Sequence, residues 1–280
     1  IDLSAATPGG LAEVLDAARA AGRAARVHLK VDTGLTRGGA TERDWPELVD
    51  AAAKAAADGT IEVVGVWSHL AVADAPEHPA TDRQLAAFQT ALEIADRGGL
   101  TPSVRHLANS AATLTRADTH FDLVRPGIAV YGLTPVPGQG RSLGLRPAMS
   151  VRARVMLAKR IPAGAGVSYG HTYVTDRTTT VAIVPLGYAD GIPRSASNRG
   201  PVSVGGRVRR IAGRVCMDQI VLDCGDDAVA AGDIAVVIGS GQGEPTADDW
   251  AAACDTINYE IVTRMGSSRV PRVYEGQVLA

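Results

Sequence analysis

Apolar and polar positions follow two different patterns along the chain, and the pattern changes within a linker rich in proline and glycine at 135–147. Before the linker, apolar residues spaced for one helical face predict helices over 10–23, 46–57 and 81–96. Short β-branched runs between them predict strands over 26–31, 61–66, 104–108 and 121–124. This alternation is typical of βα repeats around a parallel sheet.

After the linker, runs rich in valine and isoleucine predict strands over 149–159, 178–184, 202–211, 219–222 and 233–238, with one helix over 247–254. Glycine, aspartate and proline separate these runs, which favours a mostly antiparallel β domain. We therefore predict a partial βα barrel at 1–142 and a β domain at 143–280.

The strand candidates before the linker are too few to close an eight-stranded βα barrel. Position 1 is an isoleucine rather than an initiator methionine. We therefore expect about three further βα units, on the order of 90 to 100 residues at ~30 residues each, to precede the printed sequence. A small doubly wound sheet, complete in itself, is the alternative.

Composition narrows the class of protein. The chain has 280 residues, of which 46% are hydrophobic, and its formal net charge is −2, which suits a globular enzyme and argues against nucleic-acid binding. No apolar run approaches the ~20 residues of a membrane span, and no signal-peptide pattern opens the chain, so we expect a cytoplasmic protein. The three cysteines lack the spacing of a zinc site or a disulfide framework.

Polar side chains gather where the predicted parallel strands end, which is where βα proteins bind ligands. Lys30 and Asp32 precede a glycine turn that leads to Arg37, and an ion pair between Lys30 and Asp32 is the plain structural alternative. Asn109 and Ser110 stand at a helix start suited to a phosphate, and helix capping together with an ion pair is the plain structural alternative.

Two motifs in the second half also carry chemistry. Tyr169 lies among glycines and is a candidate general acid or base if a cationic neighbour or a strongly basic substrate carbanion assists it. A loop whose tyrosine is only an amphipathic lid is the alternative. Cys216 is flanked by strand formers without a nearby histidine, so we expect a buried structural thiol there. Met217 and Asp218, which follow it, suggest the lip of a pocket.

Together these segments resemble the bacterial alanine racemase family over nearly the whole chain. The motifs occur in the family's order: LKVDTG followed by Arg37, SHLA, HLANSAATL, DLVRPGIAVYGL, VSYG, PLGYADG, GRVCMDQ, TINYEI and RVPRVY. The resemblance implies a (β/α)8 TIM-like barrel followed by a mostly antiparallel β domain. It also implies pyridoxal 5'-phosphate (PLP) as cofactor and interconversion of L- and D-alanine, which supplies D-alanine for peptidoglycan.

The resemblance assigns catalytic roles. Tyr169 matches the base toward L-alanine, presented to the active site of the other subunit of a homodimer. Arg125 matches the partner of the pyridine nitrogen, and because a guanidinium stays protonated it would leave that nitrogen unprotonated. His69 and Arg194 match the groups that tune the tyrosine.

Binding roles follow in the same way. The positions around the cofactor phosphate match Asn109, Ser110, Gly127, Ile128 and Tyr259. Arg37 and the backbone N–H of Met217 match the ligands of the substrate carboxylate. Lys30 matches a lysine that is carbamylated in some members and orients the arginine. The narrow entrance matches Tyr188, Asp218 and Tyr259.

One family feature has no match in the printed sequence. The Schiff-base lysine, which is also the base toward D-alanine, belongs to a segment resembling VVKANAYGHG, and the three lysines here (Lys30, Lys54 and Lys159) do not replace it. We therefore expect most of an alanine racemase without its first barrel strands. The alternatives are a related racemase for serine or a broader range of amino acids, and a truncated chain that binds PLP without turnover.

Overall fold

The structure is a computed structural model that describes residues 1–136, 138–140, 142–240 and 242–274. The chain divides into two compact units, Ile1–Leu145 and Arg146–Ala280. The predicted boundary between residues 142 and 143 stays a prediction. Pro137 and Arg141, both within the predicted linker, lie outside the described residues.

The first unit contains a four-stranded parallel sheet in the order β1-β2-β3-β4. Its strands are β1 (Leu3–Ala5), β2 (Ala25–Lys30), β3 (Ile61–Trp67) and β4 (Val104–His106). Its helices are α1 (Pro8–Ala21), α2 (Trp45–Ala57), α3 (Ala80–Arg97) and α4 (Ser110–Thr115). The carboxyl ends of the strands therefore meet at one edge, where the predicted polar side chains are gathered.

The core of this unit lies between the sheet and its helices. Leu29 and Val66 from the strands and Leu48 and Phe88 from the helices are fully buried. The Trp45 indole N–H donates to the Ala91 carbonyl at 2.9 Å, which ties the start of α2 to α3. Burial of these large apolar side chains stabilises the unit by about 1.5–3 kcal/mol each.

The strand predicted over 121–124 is wrong. Phe121 has a φ of 48°, a left-handed conformation that no strand accommodates. The Asp122 carboxylate accepts the Arg105 backbone N–H at 2.8 Å and its Nε–H at 2.7 Å, so side-chain bonds replace a ladder here. The segment is a turn that leads into Arg125.

The second unit is built from antiparallel pairs, as its sequence predicts. Its strands are β5 (Val151–Arg154), β6 (Leu157–Ile161), β7 (Gly166–Val167), β8 (Tyr173–Val174), β9 (Thr179–Val184), β10 (Pro201–Val204), β11 (Arg207–Arg210), β12 (Ile220–Gly225) and β13 (Ile234–Ile238). They form sheets in the orders β11-β10-β13-β5, β12-β9-β6 and β7-β8. The helices are α5 (Ala247–Cys254), as predicted, and α6 (Asn258–Arg264), which was not.

Two predicted strands each divide into two. Within 149–159 the chain changes sheets: β5 pairs with β13 and β6 pairs with β9, since Val155 bonds to Asp233 and Met156 to Ile183. Within 202–211, Gly205 and Gly206 have φ values of 60° and 73° and turn the chain into a hairpin.

Within the described residues, the helices are too short or too polar to cross a lipid bilayer.

Candidate active site

The loop after β2 is organised by Asp32. Its Oδ1 accepts the N–H groups of Gly34, Leu35 and Thr36 at 2.9, 3.0 and 3.1 Å, which closes a tight turn. This turn carries the exposed Arg37. Among the described residues, Lys30 and Asp32 form no ion pair: Oδ1 of Asp32 accepts the three N–H groups of the turn, and its carboxylate acts on Lys30 only through its charge, which opposes the lowering of the Lys30 pKa.

Two cations lie over the indole of Trp67 at the end of β3. Lys30 Nζ lies 4.5 Å from the ring centroid and Arg125 Cζ lies 4.9 Å from it. The ring of His106 stacks against the same indole, with centroids 5.6 Å apart and planes 3° from parallel. Trp67 is therefore an aromatic support shared by both cations.

Arg125 is held by uncharged acceptors. Its Nη2 donates to the carbonyls of Ser68 at 2.7 Å and Leu107 at 3.1 Å and lies 3.4 Å from His69 Nδ1, while Nη1 lies 2.9 Å from His106 Nδ1. Within the described part of the chain, no carboxylate is close enough to form an ion pair with it. The guanidinium is thus a half-buried cation without a matching anion.

The hydrogen bonds continue from Arg125 across the sheet. Because the guanidinium only donates, His106 accepts at Nδ1 and carries its proton on Nε2, which lies 2.9 Å from His28 Nδ1. His28 Nε2 in turn lies 3.3 Å from Asp2 Oδ2. The two histidines meet across β3 because Gly65 offers no side chain; a Cβ there would lie 2.2 Å from His28 Nδ1.

Charge and burial shift several pKa values at this edge. Burial, and next the charge of Arg125, lowers the pKa of His69 and of His106 to about 4, so both rings are neutral near pH 7. Burial lowers the pKa of Arg125 to about 10, where it stays protonated. Burial and the charge of Arg37 lower the pKa of Lys30. The edge therefore has more positive than negative charge.

The start of α4 and the turn after Arg125 lie side by side. Ser110 Oγ accepts the N–H of Gly127 at 2.7 Å and that of Ala129 at 3.3 Å, while Asn109 caps α4 by accepting the Ala112 N–H at 3.1 Å. The structure thus brings together four of the positions matched to the phosphate: Asn109, Ser110, Gly127 and Ile128.

In the second unit, three predicted site residues project from adjoining loops. The side chains of Tyr169, Met217 and Tyr188 are exposed, at 70%, 59% and 44%. The Tyr188 N–H donates to the Cys216 carbonyl at 3.0 Å, which joins the loop of Tyr188 to that of Met217.

The other site residues of this unit are more dispersed. Arg194 Nη1 donates to Ser197 Oγ at 3.4 Å, and no bond joins it to Tyr169 among the residues described. Asp218 lies 4.0 Å from Arg269 Nη1, and Tyr259 lies on α6. Cys216 is half-buried rather than buried, because it lies in a loop beside the exposed Met217 rather than in a strand of the core.

Comparison with known proteins agrees with this geometry. Residues 1–135 match the N-terminal domain of alanine racemase and residues 148–274 match its C-terminal domain. The alanine racemase of Salinispora arenicola is 69% identical over 278 residues, which is 99% of this chain and 74% of that protein. The chain belongs to the alanine racemase family.

Solved structures of alanine racemases agree with this family assignment. The enzyme from D-cycloserine-producing Streptomyces lavendulae matches with a TM-score of 0.96 and 59% identity, over 99% of this chain and 73% of that one. The enzyme from Bartonella henselae, solved with covalently bound pyridoxal phosphate, matches with a TM-score of 0.86 and 29% identity, over 98% and 73%. The predicted fold class, a TIM-like barrel with a C-terminal β domain, is confirmed.

Sequence reasoning missed three side chains that support Arg125 directly or through His106: Trp67, His28 and Asp2. Trp67 directly precedes the motif SHLA and ends an apolar strand run, a position that by itself indicates only packing. His28 alternates with apolar residues in β2 and so reads as an exposed strand position. A glycine inside an apolar strand, Gly65, was the available signal, because it marks a close approach.

Proposed function

We propose that this chain belongs to a PLP-dependent alanine racemase, which interconverts L- and D-alanine by two-base proton transfer; Tyr169 is the base that the printed sequence contains. The observation that carries the proposal is the group of Lys30, Arg37 and Arg125 at the carboxyl edge of the parallel sheet, where Asp32 is committed to its own turn. Such an excess of positive charge suits a ligand that carries a phosphate and a substrate that carries a carboxylate. The relatives named above are alanine racemases.

The residues present fit the cofactor. A guanidinium without a carboxylate partner suits an aromatic nitrogen as acceptor, so Arg125 would hold the pyridine ring. The adjoining turns would hold the phosphate through Asn109, Ser110, Gly127 and Ile128, joined by Tyr259. The covalently bound pyridoxal phosphate of the Bartonella henselae enzyme supports PLP as the cofactor.

PLP, when bound, draws electrons from the substrate and so lowers the barrier to removing the α-proton. Tyr169 takes that proton from the Cα of L-alanine and returns one on the same face in the reverse direction. Arg125, which stays protonated, would donate to the pyridine nitrogen and leave it without a proton; this would limit the electron withdrawal and favour racemisation over side reactions. His69 would favour the phenolate as a hydrogen-bond donor. Arg194, whose Nη1 donates to Ser197 Oγ, would favour it by its positive charge.

Other residues orient the substrate. Arg37 and the backbone N–H of Met217 would hold its carboxylate. Lys30 would orient Arg37 if it is carbamylated, because the carbamate is an anion. Tyr188, Asp218 and Tyr259 line a narrow entrance that admits small amino acids.

The assembly we propose is a homodimer with shared active sites. The exposure of Tyr169, Met217 and Tyr188 supports this arrangement, because side chains of this size that are left in solvent are suited to the site of a partner subunit. We place the enzyme in the cytoplasm, where its D-alanine supplies peptidoglycan synthesis, with the two units acting as its domains.

The decisive experiment replaces the tyrosine in the full-length, PLP-loaded enzyme. Tyr169→Phe removes the acid–base group and should lower turnover of L-alanine by about 10²–10⁴-fold while the bound-cofactor absorbance is retained. Tyr173→Phe is the matched control: the Tyr173 hydroxyl donates to Asp223 Oδ2 at 2.7 Å, and burial, followed by that bond, raises the pKa of Tyr173 to about 12. Turnover is followed by chiral chromatography of both enantiomers.

Unchanged turnover in Tyr169→Phe would contradict the assigned role. A panel of amino acids separates the alternatives, since faster racemisation of serine than of alanine points to a related racemase. Borohydride reduction followed by measurement of the intact mass completes the test. A protein with neither a covalent cofactor adduct nor turnover would favour the remaining alternative, a truncated chain without catalytic activity.

A further inference from the structure

A short segment at 213–218 of the second unit joins the loops that carry its candidate site residues. The Gly213 N–H donates to Asn198 Oδ1 at 2.6 Å and the Val215 N–H donates to Ser197 Oγ at 3.1 Å, just beyond Arg194. The Cys216 carbonyl accepts the Tyr188 N–H. We call residues 213–218 the hub segment.

The hub segment also holds the residue before Tyr169. Ser168 has φ 60° and ψ −173°, a region that residues other than glycine avoid at a cost of about 1–3 kcal/mol. Its Oγ donates to the Arg214 carbonyl at 2.7 Å and lies 3.4 Å from Cys216 Sγ. A side-chain hydrogen bond to the hub segment thus maintains a conformation that the backbone alone disfavours.

Close packing on either side reinforces this bond. A Cβ on Gly213 would lie 2.8 Å from Ser168 Cβ and 2.5 Å from the Val167 carbonyl oxygen, so only glycine permits the approach. A Cβ on Gly170 would lie 3.1 Å from the Arg214 guanidinium. The two residues flanking Tyr169 therefore both rest against the hub segment.

Packing around the Tyr169 side chain does little to hold this residue in place. The residue is 70% exposed, so packing within its unit does not fix the phenol. Its place is set by the backbone, and the backbone is set by Ser168 and Gly170. An error of about 1 Å in the position of a reacting group can lower a rate about 10²-fold.

We propose that Ser168 is a positioning residue for Tyr169: its hydroxyl, bonded to the Arg214 carbonyl, holds the strained backbone that aims the phenol at the substrate Cα. This inference rests on the proposed function, because it assumes that Tyr169 exchanges the α-proton of L-alanine. The hydroxyl acts through the tyrosine backbone and touches no reacting atom.

The test compares Ser168→Ala and Ser168→Gly with the unaltered full-length holoenzyme. Both variants lose the hydrogen bond, but only glycine relieves the backbone strain. We expect kcat to fall about 10- to 100-fold in both. Thr119→Val is the matched control, since the Thr119 hydroxyl makes an equally long 2.7 Å bond to the Arg116 carbonyl in the other unit, and its loss should leave kcat unchanged.

Isotope effects separate positioning from general damage. Because the two enantiomers have equal free energies, kcat/KM must fall equally in both directions. If proton transfer by Tyr169 is slowed, however, the kinetic isotope effect on kcat/KM should rise with α-deuterated L-alanine. It should fall with α-deuterated D-alanine, because Tyr169 then transfers a solvent proton in the later step. Amide hydrogen exchange over 166–172 should also become faster in Ser168→Ala, a readout independent of turnover.

Wild-type kcat in Ser168→Gly would overturn the proposal, because the hydroxyl would then be dispensable. Equal losses of rate with unchanged isotope effects would also overturn it, since they indicate loss of stability alone. Tyr169→Phe is measured alongside. If that variant keeps full turnover, the proposed function fails; if it is inactive while the Ser168 variants are normal, only the positioning role fails.

Discussion

At the scale of single residues, Trp67 allows two like charges, Lys30 and Arg125, to lie close together in the first unit. Lys30 and Arg125 both lie within 5 Å of its ring centroid, at 4.5 and 4.9 Å, and each repels the other. The electron-rich face of the indole offsets part of that repulsion. Its Nε1–H donates to Ser4 Oγ at 2.9 Å, which fixes the ring orientation.

Replacing the indole should therefore lower the affinity for PLP, and the loss should be larger for a residue without an aromatic ring. We expect Trp67→Leu to weaken PLP binding by about 1–2 kcal/mol, since two cations lose their support, and Trp67→Phe to weaken it less. Fluorescence titration of the apoenzyme with PLP measures the dissociation constant. Ser4→Ala is the control, because it removes only the hydrogen bond. Equal affinities for the Phe and Leu variants would show that the ring face contributes nothing.

At the scale of secondary structure, β3 determines whether side chains from β2 and β4 meet. His28 and His106 belong to strands that are not neighbours, and their rings bond across Gly65. A Cβ at Gly65 would lie 2.2 Å from His28 Nδ1 and 2.9 Å from the Val104 carbonyl. The absence of one side chain in a central strand thus allows the bonds that end at Arg125.

Gly65→Ala should destabilise the protein by about 1–3 kcal/mol, the usual cost of overpacking. Part of this cost should vanish when His28 is also replaced by alanine, because the imidazole no longer occupies the space. Urea unfolding of the two single variants and the double variant measures this coupling. Gly9→Ala is the control, since a Cβ there meets nothing within 4 Å. Strict additivity would show that the clash with His28 is unimportant.

The elements themselves were largely predictable, but the contacts between them were not. Helices α2 and α5 follow from periodicity, with α5 at its predicted bounds, because local spacing determines which face is buried. The strand at 121–124 failed because Asp122 bonds to Arg105, seventeen residues earlier in the sequence. Family motifs located Arg125 and Ser110, whereas the histidine bonds across β3 depend on strand order, which spacing does not encode.

At the scale of the whole molecule, the neutral histidines make stability depend on pH. Burial lowers the pKa of His69 and His106 from 6.5 to about 4 in the folded state, so the unfolded chain binds more protons between these values. The free energy of unfolding should therefore be fully retained above pH 6.5 and fall as the pH decreases toward about 4. Urea unfolding at several pH values measures the slope. His106→Gln should reduce it; an unaltered slope would contradict the assignment.

The excess of cations at the sheet edge also affects how fast the protein binds its cofactor. A phosphate dianion is drawn toward Lys30, Arg37 and Arg125 from solution, and dissolved salt screens that attraction over about 10 Å at 0.1 M. Alanine is a zwitterion without net charge and feels little of it. Ionic strength therefore governs how quickly the newly folded apoprotein captures its cofactor, and has much less influence on the encounter with each molecule of substrate.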